Sequence, residues 1–207
     1  MIVSRTQPTS GQRFVTSTNW EGYLSVLEAF KGRRIKITYD QGELELLSPS
    51  RTHEQTKKVL SSIIEFAGFE RNVSFFGGGA TTFRRKLLDR GLEPDECYYF
   101  NTERLEGPEV SEEEYPAPDL AIEVEFTQSA LNRLGIFQAL GVREVWRYTA
   151  QHQVFILSLE SEGYMEVEKS GFLPFLPPAD IVRFAQRGLE LRDTTRLFRE
   201  LRDWLGQ

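Results

Sequence analysis

The residues best equipped for chemistry lie on the segment PDLAIEVEF, residues 118–126. Strand side chains alternate between two faces, so this run sorts by parity. Leu120, Ile122, Val124 and Phe126 make a wholly apolar face, and Asp119, Ala121, Glu123 and Glu125 make the other, which spaces carboxylates ~6.5 to 7 Å apart along the strand. An acidic face turned to solvent is the plain reading. The run leads straight into a helical pattern, however, as in βαβ units, where a sheet is covered on both faces. An acidic face under cover needs a cation. Carboxylate oxygens suit Mg²⁺ or Mn²⁺, which take only one or two carboxylates from a protein and leave positions for water and phosphate oxygens. Asp95, in GLEPDECYYF, is the best second ligand, because it begins an earlier strand able to pair beside the Glu123 strand. Asp119 follows a proline as Asp95 does. Four strand residues put it about 13 Å from Glu123, too far for a shared ion, so it reads as a strand-start or cap residue.

A cation is available on the following helix, SALNRLGIFQALG, where Ala130, Leu134 and Phe137 define the inward stripe and Arg133 lies on it. Arg133 is either a snorkelling edge residue or a guanidinium aimed at the Glu123 cleft. Two short basic groups, Arg33-Arg34 with Lys36 and Arg84-Arg85-Lys86, are solvated faces or local phosphate contacts. Gly77-Gly78-Gly79 lacks the GxxxxGK[ST] pattern of a phosphate loop and reads as a turn between two short strands. With two histidines, His53 and His152, and one cysteine, Cys97, a zinc cluster is excluded. Cys97 alternates with Asp95 along its strand and reads as a small buried filler beside the site rather than half of a catalytic dyad.

The elements that must position these groups follow from periodicity. Residues 1–17 have no period and read as a tail or edge extension, leaving 18–207 as a single domain. From Thr18, an expected N-cap, Trp20, Tyr23, Leu24, Leu27 and Phe30 define an amphipathic helix. Gln41-Gly42 turns a hairpin between RRIKITYD and ELELLS. SPSR then caps a long helix to about Phe69, striped by Val59, Leu60, Ile63, Ile64 and Phe66. GLEPDECYYF is expected as one strand, and the acidic stretch 101–117 as a loop or lid. After the Glu123 strand and its helix come strands REVWRYT, QVFILSL and GYMEVEK, a Pro-broken loop and a C-terminal helix DTTRLFRELRDWLG. The class is α/β, a mixed sheet flanked by helices.

The composition, 40% hydrophobic with 15 Phe, supports a packed core. A lone cysteine and an N-terminus without an apolar signal run point to the cytoplasm, and the short apolar runs argue against a membrane role. A net charge of −6 means that any phosphate partner must be met locally rather than by a broadly basic surface.

GELELLSPS, the RTHEQTKKVLSSII helix, TTFRR, GLEPDECYYF, PDLAIEVEFT and the helix ending LGVREVWRY, taken in order over residues 20 to 160, resemble the Uma-type branch of the PD-(D/E)XK nuclease superfamily. The resemblance implies a restriction-endonuclease-like core in which Asp95 and Glu123 bind Mg²⁺. It adds Glu45 as an outer or direct metal contact, and it singles out His53 and Glu54 at the start of the long helix, with His53 a substrate contact. The superfamily places Lys two residues after the Glu; here that residue is Glu125. The Uma-type branch often carries the Lys on the next helix, at the position of Arg133. Arg stays protonated and cannot act as a general base, but it can clamp a phosphate or offset transition-state charge.

The implied mechanism has a bound water deprotonated at the metal and oriented by Glu125 or Glu45, attack on phosphorus in DNA (RNA remaining open), Arg133 offsetting charge, and Arg84, Arg85 and Lys86 contacting substrate. Restriction-type folds often act as homodimers, with the EVWRYT strand or Trp204 as candidate contacts. The rival reading is a nuclease fold that has lost catalysis and serves as a nucleic-acid-binding or protein-interaction module, favoured by the acidic charge, Glu125 and Arg133.

Overall fold

A computed structural model describes residues 11–105 and 115–206. The expected acidic lid lies largely outside the described residues, as do the first ten residues of the expected tail. Residues Arg13–Ser17 form an edge strand, β1. Helix α1 (Trp20–Phe30) is capped by Asn19, whose side chain accepts from the Gly22 amide, one residue beyond the expected Thr18. The hairpin β2 (Lys36–Asp40) and β3 (Glu43–Leu47) follows as expected. Its turn needs positive φ at two residues, supplied by Gln41 at 47° and Gly42 at 97°. Ser50 caps α2 (Arg51–Glu70) by accepting from the His53 amide.

The next stretch moves between two sheets. Strand β4 (Phe76–Gly77) belongs to one and β5 (Phe83–Arg85) to the other. The glycine run between them has a packing reason: a Cβ on Gly78 would lie 2.6 Å from Cys97 Sγ. The expected single strand GLEPDECYYF is two, β6 (Arg90–Leu92) and β7 (Glu96–Tyr99), again in different sheets. Pro94 stands between them, and its missing N–H removes a ladder donor where the chain changes sheet. Strand β8 (Leu120–Glu125), helix α3 (Arg133–Leu140) and β9 (Glu144–Thr149) form a βαβ unit with β8 and β9 parallel. Strands β10 (Val154–Glu160) and β11 (Gly163–Val167) continue antiparallel.

The chain closes with two helices, α4 (Pro178–Leu191) and α5 (Thr194–Leu205), where a Pro-broken loop and one helix were expected. The prolines taken for breakers begin α4, since Pro in a helix's first turn loses no internal hydrogen bond. Ile181, Phe184, Ala185 and Gly188 are its buried face.

The architecture is α/β, with strands in two sheets of order β1-β3-β2-β6-β5 and β11-β10-β9-β8-β7-β4. On one face of the second sheet Leu120, Ile122 and Val124 pack with α2, α4 and α5; on the other, Cys97, Tyr99, Ala121 and Val145 pack with α3. The first sheet rests on α1 through Trp20, Tyr23, Ile37, Tyr39 and Leu44. Strand β9, proposed from sequence as an interface, is internal, with Val145, Trp146 and Tyr148 buried; Trp204 packs against Phe184.

Candidate active site

The parity reading of β8 holds, with its apolar side in one core and its acidic side under the first sheet. β7 runs antiparallel beside it with Glu96 opposite Ile122 and Tyr98 opposite Leu120. Asp95 stands just before β7, outside the paired residues, and its backbone meets β8 at Ile122, the neighbour of Glu123. Asp95 is tied to β8 by backbone and side chain: its amide donates to Ile122 O at 3.1 Å, and its Oδ2 accepts from the Val124 amide at 2.7 Å. Both acids are buried, Asp95 at 2% exposure and Glu123 at 4%.

Buried charges must be paired, and three elements supply the partners. Lys36, on β2 of the other sheet, places Nζ 2.8 Å from Asp95 Oδ1 and 3.6 Å from Glu123 Oε2. Arg133, in the first turn of α3, grips Glu123 in a fork, Nε to Oε2 at 3.0 Å and Nη2 to Oε1 at 2.7 Å. Its Nη2 also donates to Glu93 O at 2.8 Å and its Nη1 to Thr38 Oγ1. Four of its five N–H groups are thus engaged. His53, on α2, sets Nε2 3.1 Å from both Asp95 oxygens and Nδ1 3.2 Å from Glu54 Oε1. Burial pushes the Asp95 carboxyl up, but the Lys36 ammonium and His53 outweigh it and hold it well below the usual carboxylate range. Burial also depresses the His53 imidazole, and Asp95 more than reverses this, so its pKa lies above the ordinary imidazole value. Glu93 also faces Lys36, Asp95 and Arg133; burial raises its carboxyl against the pull of those cations.

The other sequence candidates are spread around this centre. Glu45 is buried on β3, accepting from Ser129 Oγ at 2.7 Å and the Ala130 amide at 2.6 Å, so it anchors the turn that delivers Arg133. Glu125 lies toward the rim, held by Arg147 with Nε to Oε1 at 2.8 Å. Arg85 Nη2 donates to Tyr115 O at 2.6 Å, Arg84 precedes it on β5, and Lys86 reaches Glu21 at 3.2 Å. Asp119 closes the far end of the β7–β8 pair. Cys97 is a buried filler, fully enclosed.

Thr38 and Glu93 had no assigned place in the site, and Lys36, read with Arg33-Arg34 as a solvated face or local phosphate contact, is instead buried against both acids. Lys36 and Thr38 alternate with Ile37 and Tyr39, so parity alone puts them on the face turned away from α1. Nothing in that alternation says the face meets a second sheet. Among the described residues no group of three or more His, Cys, Asp or Glu side chains is arranged to hold a metal ion.

The fold, strands in sheets flanked by helices, is shared with a solved structure. A crystal structure titled a "putative nuclease belonging to DUF820", from Anabaena variabilis ATCC 29413, is similar with a TM-score of 0.53, 14% identity, and coverage of 72% of this chain and 90% of that one. The model of the Uma2 family, described as "Putative restriction endonuclease", matches residues 20–194, and the chain belongs to that family. No curated protein matches the chain.

Proposed function

We propose that the protein is a metal-dependent endonuclease that hydrolyses phosphodiester bonds in DNA, with Asp95 and Glu123 as the ligands for Mg²⁺ or Mn²⁺. The observation that carries this reading is that two buried carboxylates, Asp95 and Glu123, converge on one point, the Lys36 ammonium, at 2.8 and 3.6 Å. The donors are of the right chemistry, two hard carboxylates from adjacent strands. A positive charge already stands between them in Lys36, which marks the space as a cation position. A divalent ion held by Asp95 and Glu123 would supply a water of lowered pKa and positive charge against the phosphoryl oxygens.

The chain's own residues prepare that chemistry. The Val124 amide and His53 fix the Asp95 carboxylate, and Arg133 fixes Glu123 in one rotamer. Since the Arg133 fork is nearly used up, it acts first by orienting Glu123, with its remaining N–H left for phosphate. Glu93 is the acid beside the site best placed to orient a water, ahead of Glu125, which Arg147 holds at the rim. Arg84, Arg85 and Lys86 would meet the nucleic-acid backbone farther out, and a homodimer and a cytoplasmic setting belong to the same reading. No described helix is long and apolar enough to cross a membrane.

The test is nicking of supercoiled plasmid with Mg²⁺ or Mn²⁺ by wild type and Glu123→Gln, with a single-stranded RNA arm. Metal-dependent nicking by wild type alone supports the reading; equal activity in both proteins removes it.

One observation favours a second reading, a nuclease fold retained as a nucleic-acid-binding or protein-interaction module. All four carboxylate oxygens of Asp95 and Glu123 already hold nitrogen partners. A folded protein that binds duplex DNA with unchanged affinity in EDTA and shows no nicking would establish this alternative.

A further inference from the structure

Among the described residues, Lys36 is the one cation of the site that comes from the opposite sheet and bridges both acids. Its ammonium lies 2.8 Å from Asp95 Oδ1 and 3.6 Å from Glu123 Oε2, and its side chain is 9% exposed. Arg133 differs in kind: it is pinned by Glu123, Thr38 and the Glu93 carbonyl in a planar fork. Lys36 has a compact charge on a flexible four-carbon stem with two described acceptors. Of the two, only Lys36 can leave without dismantling the seam between the sheets.

Charge balance shows what its departure would accompany. Asp95 and Glu123 carry two negative charges and Lys36 and Arg133 two positive, so these four groups balance one another, with His53 lying against Asp95 as well. A divalent ion placed between the same acids would stand within a few ångströms of the ammonium, in a buried setting where like charges repel strongly. Both cations cannot share the space.

We propose that Lys36 is a tethered competitor for the divalent ion: its ammonium fills the ion's position between Asp95 and Glu123, metal binding displaces it, and Lys36 thereby sets the metal affinity of the site. This rests on the metal-site reading given above.

Mn²⁺ binding, followed by loss of the free-ion electron paramagnetic resonance signal, tests it on the full chain. Lys36→Met should bind Mn²⁺ at least about tenfold tighter than wild type, the scale on which one buried charge moves an equilibrium. The gain should vanish in Lys36→Met/Glu123→Gln, and Lys31→Met, an exposed lysine with the same charge change, should stay within about twofold of wild type. Equal or weaker binding by Lys36→Met than by a metal-binding wild type overturns the competitor role and leaves the metal site standing. No binding by either folded protein overturns both. Should Lys36→Met fail to fold, amine labelling of the wild type read by mass spectrometry decides: saturating Mg²⁺ should speed labelling of Lys36, and an unchanged rate refutes displacement.

Discussion

Pro-Asp occurs at the start of both β7 and β8, and the two aspartates are built alike up to the point where they diverge. Each donates its amide to the neighbouring strand, Asp95 to Ile122 O and Asp119 to Tyr98 O. Each folds its carboxylate back onto that strand's far end, Asp95 to the Val124 amide and Asp119 to the Phe100 and Asn101 amides. They are diagonal caps of one antiparallel pair. The difference lies beside each of them. Asp95 has a second acid beside it, Glu123, and the two are enclosed by Lys36 and Arg133, whose side chains are 9% and 11% exposed. Asp119 has an aromatic beside it, Tyr99, and its cations, Arg104 and Arg143, are 33% and 65% exposed, so they can stay in water. A Pro-Asp dipeptide therefore specifies a strand cap; a catalytic candidate arises only where the partner strand adds a second carboxylate.

Four measurements bear on that contrast. The largest effect should come from Glu123→Ala, which strands Lys36 and Arg133 in the seam: a loss of about 3–5 kcal/mol in urea unfolding is expected. A loss below about 1 kcal/mol would mean that solvent reaches these cations. Asp95→Asn should lower plasmid nicking by about 100-fold or more, as removal of one preorganised group does in comparable sites; retained nicking would erase the distinction between the caps. Asp119→Asn should keep nicking within about threefold and cost about 1–2 kcal/mol, as expected when a charged acceptor is replaced by a neutral one. The smallest effect concerns Cys97, whose thiol burial pushes from 9.0 to about 12. Because the folded state retains the proton, stability is full below the unfolded value and falls as pH rises from about 9 toward 12. Native Cys97 should resist iodoacetamide at pH 9 and react once urea unfolds the chain.

The half of the site carried by the second sheet was legible in the sequence because it depends on strand parity and on two neighbouring strands. β8 alternates apart from Ala121, and a hard-ion argument singled out Asp95 over Asp119 from distance along one strand. The other half was not legible. Lys36 sits in a run, RRIK, whose first two residues are exposed, and its burial depends on a contact between sheets that no local period encodes. Glu93 and Pro94 were absorbed into a continuous strand, although proline removes the donor that a continuous ladder requires. Helix α4 was lost for the opposite reason, since prolines that stop a helix in its interior start one at its first turn.

Glu45 shows how far the order of the acid pair extends. It holds Ser129 across 84 residues of sequence and the Ala130 amide next to it. The turn that launches α3 is therefore clamped from a hairpin in the opposite layer. Arg133 takes its position from that clamp, so a change at Glu45 should reach the Glu123 rotamer although Glu45 bonds only to Ser129 and Ala130 there. Precision at this centre is a property of the joint between the layers, and variants that loosen the joint should behave like lesions of the site itself.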